Sequence, residues 1–261
     1  MEDDPKILEV KAQALLAEDD LEEAFKLFKK AAAGFSHKKN YKQAAFCCAT
    51  AASCWSIKLG EKTFYNSAAC FEEAAGYAVQ ASDFEYAALL YKYAALHYER
   101  DGEYLNFSDC YYHSRECTRA LYVHRVFRWE RWRPRLSGKG ADRSGQESLV
   151  RDIFSLLALT FSSYVWGHGE RPFRTLVVGL GIIIGSALAY RIGIVQTAQG
   201  VTIPPFFEAC YVSIITFTTV GYGDITPIGF ARAVAALEAL AGVIIMPLFI
   251  VGLSRKYLRM N

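Results

Sequence analysis

Between Thr175 and Val195 the sequence runs for 21 residues with a single charge, Arg191. At 1.5 Å per residue a helix of that length covers about 30 Å, the thickness of a bilayer's hydrocarbon core. A second apolar run extends from about Ile228 to Leu253 and is followed by Arg255, Lys256 and Arg259. Arg171 and Arg174 precede the first run, so the excess of positive charge on the inner side places the outer ends of the pair in the cytosol. Arg191 lies one turn from the far end of its helix, where its side chain can snorkel to the opposite interface. Gly179, Gly181 and Gly185 offer a face for close helix approach.

Only 32 residues separate the two spans. They open with polar Gln196-Thr197-Ala198-Gln199-Gly200, and Pro204-Pro205 then suits the start of a short helix. Phe206 to Phe217 is predicted as that helix, too short to cross. It has to dip into the membrane and return, which is allowed only where irregular backbone lines a water-filled path. The returning strand is Thr218-Thr219-Val220-Gly221-Tyr222-Gly223-Asp224. Gly221 and Gly223 take positive φ at little cost, so successive carbonyls can face one axis instead of alternating.

The order of outer span, short helix, Thr-Val-Gly-Tyr-Gly-Asp and inner span closely resembles the potassium-channel pore domain over residues 172 to 256. Ala231-Arg232 and Glu238-Ala239-Leu240-Ala241-Gly242 are similar to the inner helices of bacterial and archaeal two-span channels. The resemblance implies a pore domain over residues 169 to 261 and a homotetramer, because one chain supplies only a quarter of each oxygen ring. K⁺ would lie between carbonyls of Thr219, Val220, Gly221 and Tyr222, with the Thr219 hydroxyl below and Gly223 closing the filter. Thr218, Asp224 and Tyr211 are the expected supports. Where some members carry paired Trp residues on the pore helix, this chain has Tyr211 and Val212. Where some carry a Glu facing the filter Asp, it has Ile215, which leaves Asp224 without that partner. Three inner-helix residues are gating candidates. Gly242 stands at the family's hinge position, and Pro247 removes a helix hydrogen bond and is expected to kink the helix. Glu238, a carboxylate at membrane depth, is expected behind the filter against Ser213 or Thr216.

Residues 1 to 124 read differently. They hold 14 Lys/Arg against 19 Asp/Glu and show helical composition without period-two alternation. Ala32-Ala33-Gly34-Phe35 recurs 42 residues later as Ala74-Ala75-Gly76-Tyr77, and breaks fall roughly every 20 residues. Small Ala faces with a neighbouring aromatic predict a solenoid of about six helices, each burying what its neighbour exposes. The chain as a whole is therefore expected to be all-α. Asp20-Leu21-Glu22-Glu23-Ala24 followed by Lys29-Lys30-Ala31-Ala32 resembles the soluble NSF-attachment proteins, relatives of tetratricopeptide arrays. That resemblance implies a surface for a protein or small-ligand partner. Six of the seven cysteines lie before residue 118 and are expected as reduced core residues. Cys110, His113 and Cys117, with His97, have a spacing that metal ligation could use, although packing is the expected role.

Residues 125 to 146 form a basic linker, with Pro134 stopping the last repeat helix. The segment 125 to 143 holds seven Lys/Arg against two acids, interleaved with Trp129 and Trp132, which suits anionic lipids. No basic groove for nucleic acid is evident. Residues 147 to 168 are expected to lie along the inner leaflet, since their strongly apolar part, Ile153 to Trp166, holds 14 residues. The acidic start at Met1 has no apolar run behind it, so no secretory signal is expected. The reading is thus a multi-pass protein of the cell membrane with both termini cytoplasmic. It needs no cofactor beyond the transported K⁺, and no nucleophile-base arrangement or phosphate loop suggests an enzyme. The alternative is a membrane-anchored adaptor with a non-conducting or weakly selective pore.

Overall fold

The same short link recurs at the ends of four helices of the N-terminal half. Asp19, Lys39 and Ser82 have φ of 65°, 56° and 57°, the left-handed conformation that ends a helix. After each, an N–H returns five residues: Asp20 to the Leu15 carbonyl at 3.0 Å, Asn40 to Phe35 at 2.9 Å and Asp83 to Ala78 at 3.0 Å. The residue making that bond then caps the next helix, its side chain accepting from Glu23 N, Gln43 N and Tyr86 N respectively. Gly102 (φ 81°) and Glu103, whose N–H reaches Tyr98 O at 2.9 Å, repeat the link once more.

The computed structural model describes residues 4–57, 63–127 and 142–260. The chain divides into two compact units, Met1–Phe161 and Ser162–Asn261, with the boundary inside α7. In the first, α1 (Pro5–Ala17), α2 (Leu21–His37), α3 (Tyr41–Ile57), α4 (Thr63–Gln80), α5 (Phe84–Asp101) and α6 (Tyr104–Phe127) each pack on the next. This is a helical stack of six, as the repeat predicted.

Its core shows why the sequence is rich in Ala. Fully or nearly fully buried Ala24, Ala31, Ala44, Ala51, Ala74 and Ala94 let helices approach, and Phe28, Phe35, Phe71 and Tyr98 fill the space between turns. Burying a side chain such as Phe28 contributes about 1.5 to 3 kcal/mol. Several polar groups between helices are paired: Ser67 Oγ donates to Ala52 O at 2.9 Å, Ser114 Oγ to Ala88 O at 2.8 Å and Tyr98 OH to Glu72 at 2.9 Å. Lys29 forms an ion pair with Glu73 across α2 and α4. The six cysteines of this unit are free and buried. His113 stacks on Tyr91 at 5.3 Å, and among the described residues no group of His, Cys, Asp or Glu is arranged to hold a metal.

Two boundaries differ from the expectations. Helix α6 continues through Arg125 to Phe127, and α7 (Asp142–Trp166) begins inside the stretch read as linker. Pro134, Trp129, Trp132 and the Gly/Ser/Lys run to residue 141 lie outside the described residues. Helix α7 ends in a 3-10 turn, Gly167–Gly169, in which His168 has a φ of 58°. With that turn, Leu149–Gly169 is long and apolar enough to cross a membrane, as are Pro172–Ile192 and Phe230–Leu258.

The second unit contains α8 (Pro172–Ile192), α9 (Phe206–Phe217) and α10 (Phe230–Met260), together with β1 (Ile194–Thr197), β2 (Gly200–Thr202) and β3 (Thr226–Ile228). The strands form an antiparallel sheet in the order β2-β1-β3. This sheet is absent from the all-helical expectation, which carried the outer helix to Val195. Gly193 ends α8 in extended backbone, and Val195 instead pairs with Thr202 on one side and Pro227 on the other. Ala187 and Tyr190 of α8, Ala209 and Val212 of α9, and Ala231 of α10 make the small core where the three helices meet.

Candidate functional site

Helix α9 is 12 residues long, as the sequence predicted, and the loop behind it is pinned to its last turn. The N–H groups of Thr218, Thr219 and Val220 reach the carbonyls of Ile214, Thr216 and Ile215 at 3.0, 3.0 and 2.9 Å, and Gly221 N shares Ile215 O at 3.1 Å. The Thr218 hydroxyl donates to Ile214 O at 2.7 Å. The carbonyls that α9 leaves open at its carboxyl end therefore take the donors of the loop.

The loop backbone alternates. Thr219, Gly221 and Gly223 have φ of 57°, 48° and 79°, whereas Val220 and Tyr222 between them stay outside the left-handed region. Alternation of this kind turns successive carbonyls to one side of the strand instead of to opposite sides. The two glycines adopt it freely, but Thr219 is β-branched and pays for a left-handed backbone. Its N–H bond to Thr216 holds it there. From Thr219 to Asp224 every residue is exposed in the single chain, with Val220 at 52% and Tyr222 at 73%.

Asp224 has a partner that the sequence reading did not assign. Ile215 offers it no carboxylate and is itself buried, yet the Tyr211 hydroxyl donates to Asp224 Oδ2 at 2.8 Å. Beyond Asp224 the chain enters β3, where Thr226 pairs with Gln196 and Ile228 with Ile194. The far end of the loop is thus fixed to the end of α8. Arg191 adds a second tie, its Nη1 donating to Pro204 O at 2.9 Å just before α9.

Behind the loop, Glu238 of α10 is 2% exposed. It bonds to Ser213 of α9 and accepts from the Tyr190 hydroxyl of α8 at 2.6 Å. Sequence reasoning placed Ser213 within its reach and missed Tyr190, although Tyr190 and Ser186 stand one turn apart as polar residues within an apolar run. Gly242, one turn further along α10, has a specific reason to be Gly: a Cβ there would lie 1.9 Å from the carbonyl oxygen of Phe217. The structure shows it as a site of close packing against the end of α9. Pro247 lies inside α10, which continues past it as one helix. Of the three glycines expected to offer a packing face, Gly179 meets Phe217 and Ile245, while Gly181 and Gly185 have open space.

Residues 177–259 match the family model described as "Ion channel". Over 56 residues the chain is 44% identical to Protein LctB of Geobacillus stearothermophilus, covering 22% of this chain and 41% of that protein. Over 44 residues it is 52% identical to Protein LctB of Bacillus caldotenax, covering 17% of this chain and 32% of that protein. The matched stretch thus spans less than half the length of either relative. No solved structure matches the chain. Helices long and apolar enough to cross a membrane and the loop between them therefore belong to a segment similar to ion channels.

Proposed function

We propose that the protein is a potassium-selective channel that conducts K⁺ passively as a homotetramer. The observation that carries this reading is the alternating backbone of Thr219, Gly221 and Gly223, with its N–H groups held by α9. Such a strand presents carbonyls along one side, and four copies around an axis would make the oxygen rings that replace the hydration shell of K⁺. Exposure of the whole loop in one chain fits a site completed by other copies. The carboxyl end of α9 points its dipole toward the same region and favours a cation.

The helical array is the natural regulator in this reading. A groove of about 670 Å³ between α5 and α6, lined by Tyr86, Lys92, Tyr111 and Arg115 among others, suits a protein segment or small ligand. Its occupancy would act on the pore through residues 125 to 166, whose basic stretch from 125 to 143 holds to anionic lipid. In this reading the basic residues before α8 and after Leu253 face the cytoplasm and α7 lies along the inner leaflet, so that both termini are cytoplasmic. The test is flux into liposomes carrying the purified full-length chain. K⁺ but not Na⁺ should enter, and Gly221→Ala should abolish entry, whereas equal entry of both ions would contradict the reading. Deleting residues 1–124 should change the open probability of single channels, and an unchanged value would remove the regulatory part.

A further inference from the structure

Ser213 has one hydroxyl proton and two oxygen neighbours placed to share it. Its Oγ lies 2.8 Å from the Ile183 carbonyl of α8 and also hydrogen-bonds with Glu238 Oε1 of α10. A carbonyl only accepts, so the hydrogen bond to Ile183 takes the Ser213 proton. Ser213 must then accept from Glu238. An ionised carboxylate has nothing to donate, whereas a carboxylic acid has one O–H.

The surroundings agree with that count. Glu238 is 2% exposed. Among the described residues, the side chains that bond to it, Tyr190, Ser213 and Ser186, are all neutral hydroxyls. Tyr190 donates to Oε2 at 2.6 Å, so both oxygens of the acid are used. A buried carboxylate without a cation is costly, and a hydrogen-bonded acid is not.

We propose that Glu238 is a proton-bearing brace: its acid O–H donates to Ser213, Ser213 donates to the Ile183 carbonyl, and Tyr190 donates to the second acid oxygen. The chain of bonds joins α8, α9 and α10 directly behind the filter loop. Two residues beyond Ser213, the Ile215 carbonyl holds the N–H groups of Val220 and Gly221. One turn along α10 from Glu238, Gly242 lies against the Phe217 carbonyl. The inner helix therefore grips α9 at two heights, and Glu238 is a positioning residue for the filter. This last step rests on the channel reading, whereas the proton assignment does not.

Glu238→Gln decides between an acid and a carboxylate. A Gln amide reproduces the proposed pattern, its N–H₂ donating to Ser213 and its oxygen accepting from Tyr190. The experiment is infrared spectroscopy at neutral pH on the full-length protein in lipid, with K⁺ over Na⁺ selectivity measured in the same preparations. The wild type should show the carbonyl stretch of a protonated carboxyl and Glu238→Gln should lose it. Selectivity should stay within about twofold in Glu238→Gln and fall about tenfold or more in Glu238→Ala, where the buried hydroxyls lose their partner. Absence of the protonated-carboxyl band, or a Glu238→Gln variant as impaired as Glu238→Ala, would overturn the proposal. A wild type that passes no K⁺ would refute the channel reading instead, and the infrared band would still decide where the proton is.

Discussion

The Tyr211 phenol donates to Asp224 at 2.8 Å and so joins the middle of α9 to the last residue of the loop that follows it. Both groups are exposed in the single chain, and the sheet pairing of β3 holds the next residues in place. Tyr211→Phe removes only the donor. The expected result is a folded tetramer whose K⁺ current declines severalfold faster during sustained opening, read from macroscopic currents. An unchanged time course would show that β3 alone fixes this end of the loop.

Gly242 tests the packing of α10 on α9. A Cβ at 1.9 Å from Phe217 O and 2.9 Å from its carbonyl carbon meets backbone, which has no rotamer to move to. Gly242→Ala should therefore destabilise the packing of α10 on α9 by about 3 kcal/mol. Gly185→Ala, with nothing within 4 Å in the chain, should be close to neutral or stabilise its helix by about 0.5 to 1 kcal/mol. Thermal denaturation of the two purified variants makes the comparison. A hinge role for Gly242 without packing would instead leave stability intact and alter only gating.

Burial accounts for the chemistry of the array cysteines. It pushes the Cys47 thiol from its ordinary 9.0 up to about 12 and the Cys117 thiol up to about 11. At pH 8 the thiolate fraction of Cys47 is then lower than that of an ordinary thiol by about a thousandfold, and the thiolate is the reactive form. These residues should resist alkylation in the native protein and react only on unfolding, as counted by mass spectrometry. Rapid native labelling of Cys47 would contradict the packed core.

His97 gives the array a pH-dependent stability. Its ring lies between Phe64 and Phe71, at 5.8 and 5.4 Å, and its Nδ1 has no hydrogen-bond partner among the described residues. Burial first, and then the Arg100 cation, hold its pKa below the ordinary 6.5. Below pH 6.5 the unfolded chain takes up this proton more readily than the folded one, so stability rises with pH through that window and is lost on acidification. His97→Phe should reduce the drop in melting temperature between pH 7.5 and 5.5, followed by circular dichroism. An equal drop in both proteins would assign the effect to other groups.

Much of this architecture is legible in the sequence because its strongest signals are local. The alternation of Ala faces with aromatics gives the six helices, and the left-handed residues Asp19, Lys39 and Ser82 fall at the predicted breaks. The length of Phe206 to Phe217 gives a helix that cannot cross. The sheet was hidden for the opposite reason. Its strands are three or four residues long, and Ile194 and Val195 continue the apolar run of the preceding helix. Their partners in β3 lie some 30 residues away, and pairing of that kind leaves no local periodicity. The positive φ of Thr219 was hidden too, since a β-branched residue argues against it and only the bond to Thr216 explains it. The tie between Tyr190 and Glu238 spans 48 residues, and nothing in either segment alone specifies it.

The central claim is that copies of this filter loop together select K⁺. A single-channel recording of the reconstituted full-length protein, with K⁺ on one side of the bilayer and Na⁺ on the other, tests it most directly. The account predicts a reversal potential displaced strongly in the direction of K⁺ preference, and loss of the unitary current in Gly221→Ala. A reversal potential near zero would contradict it.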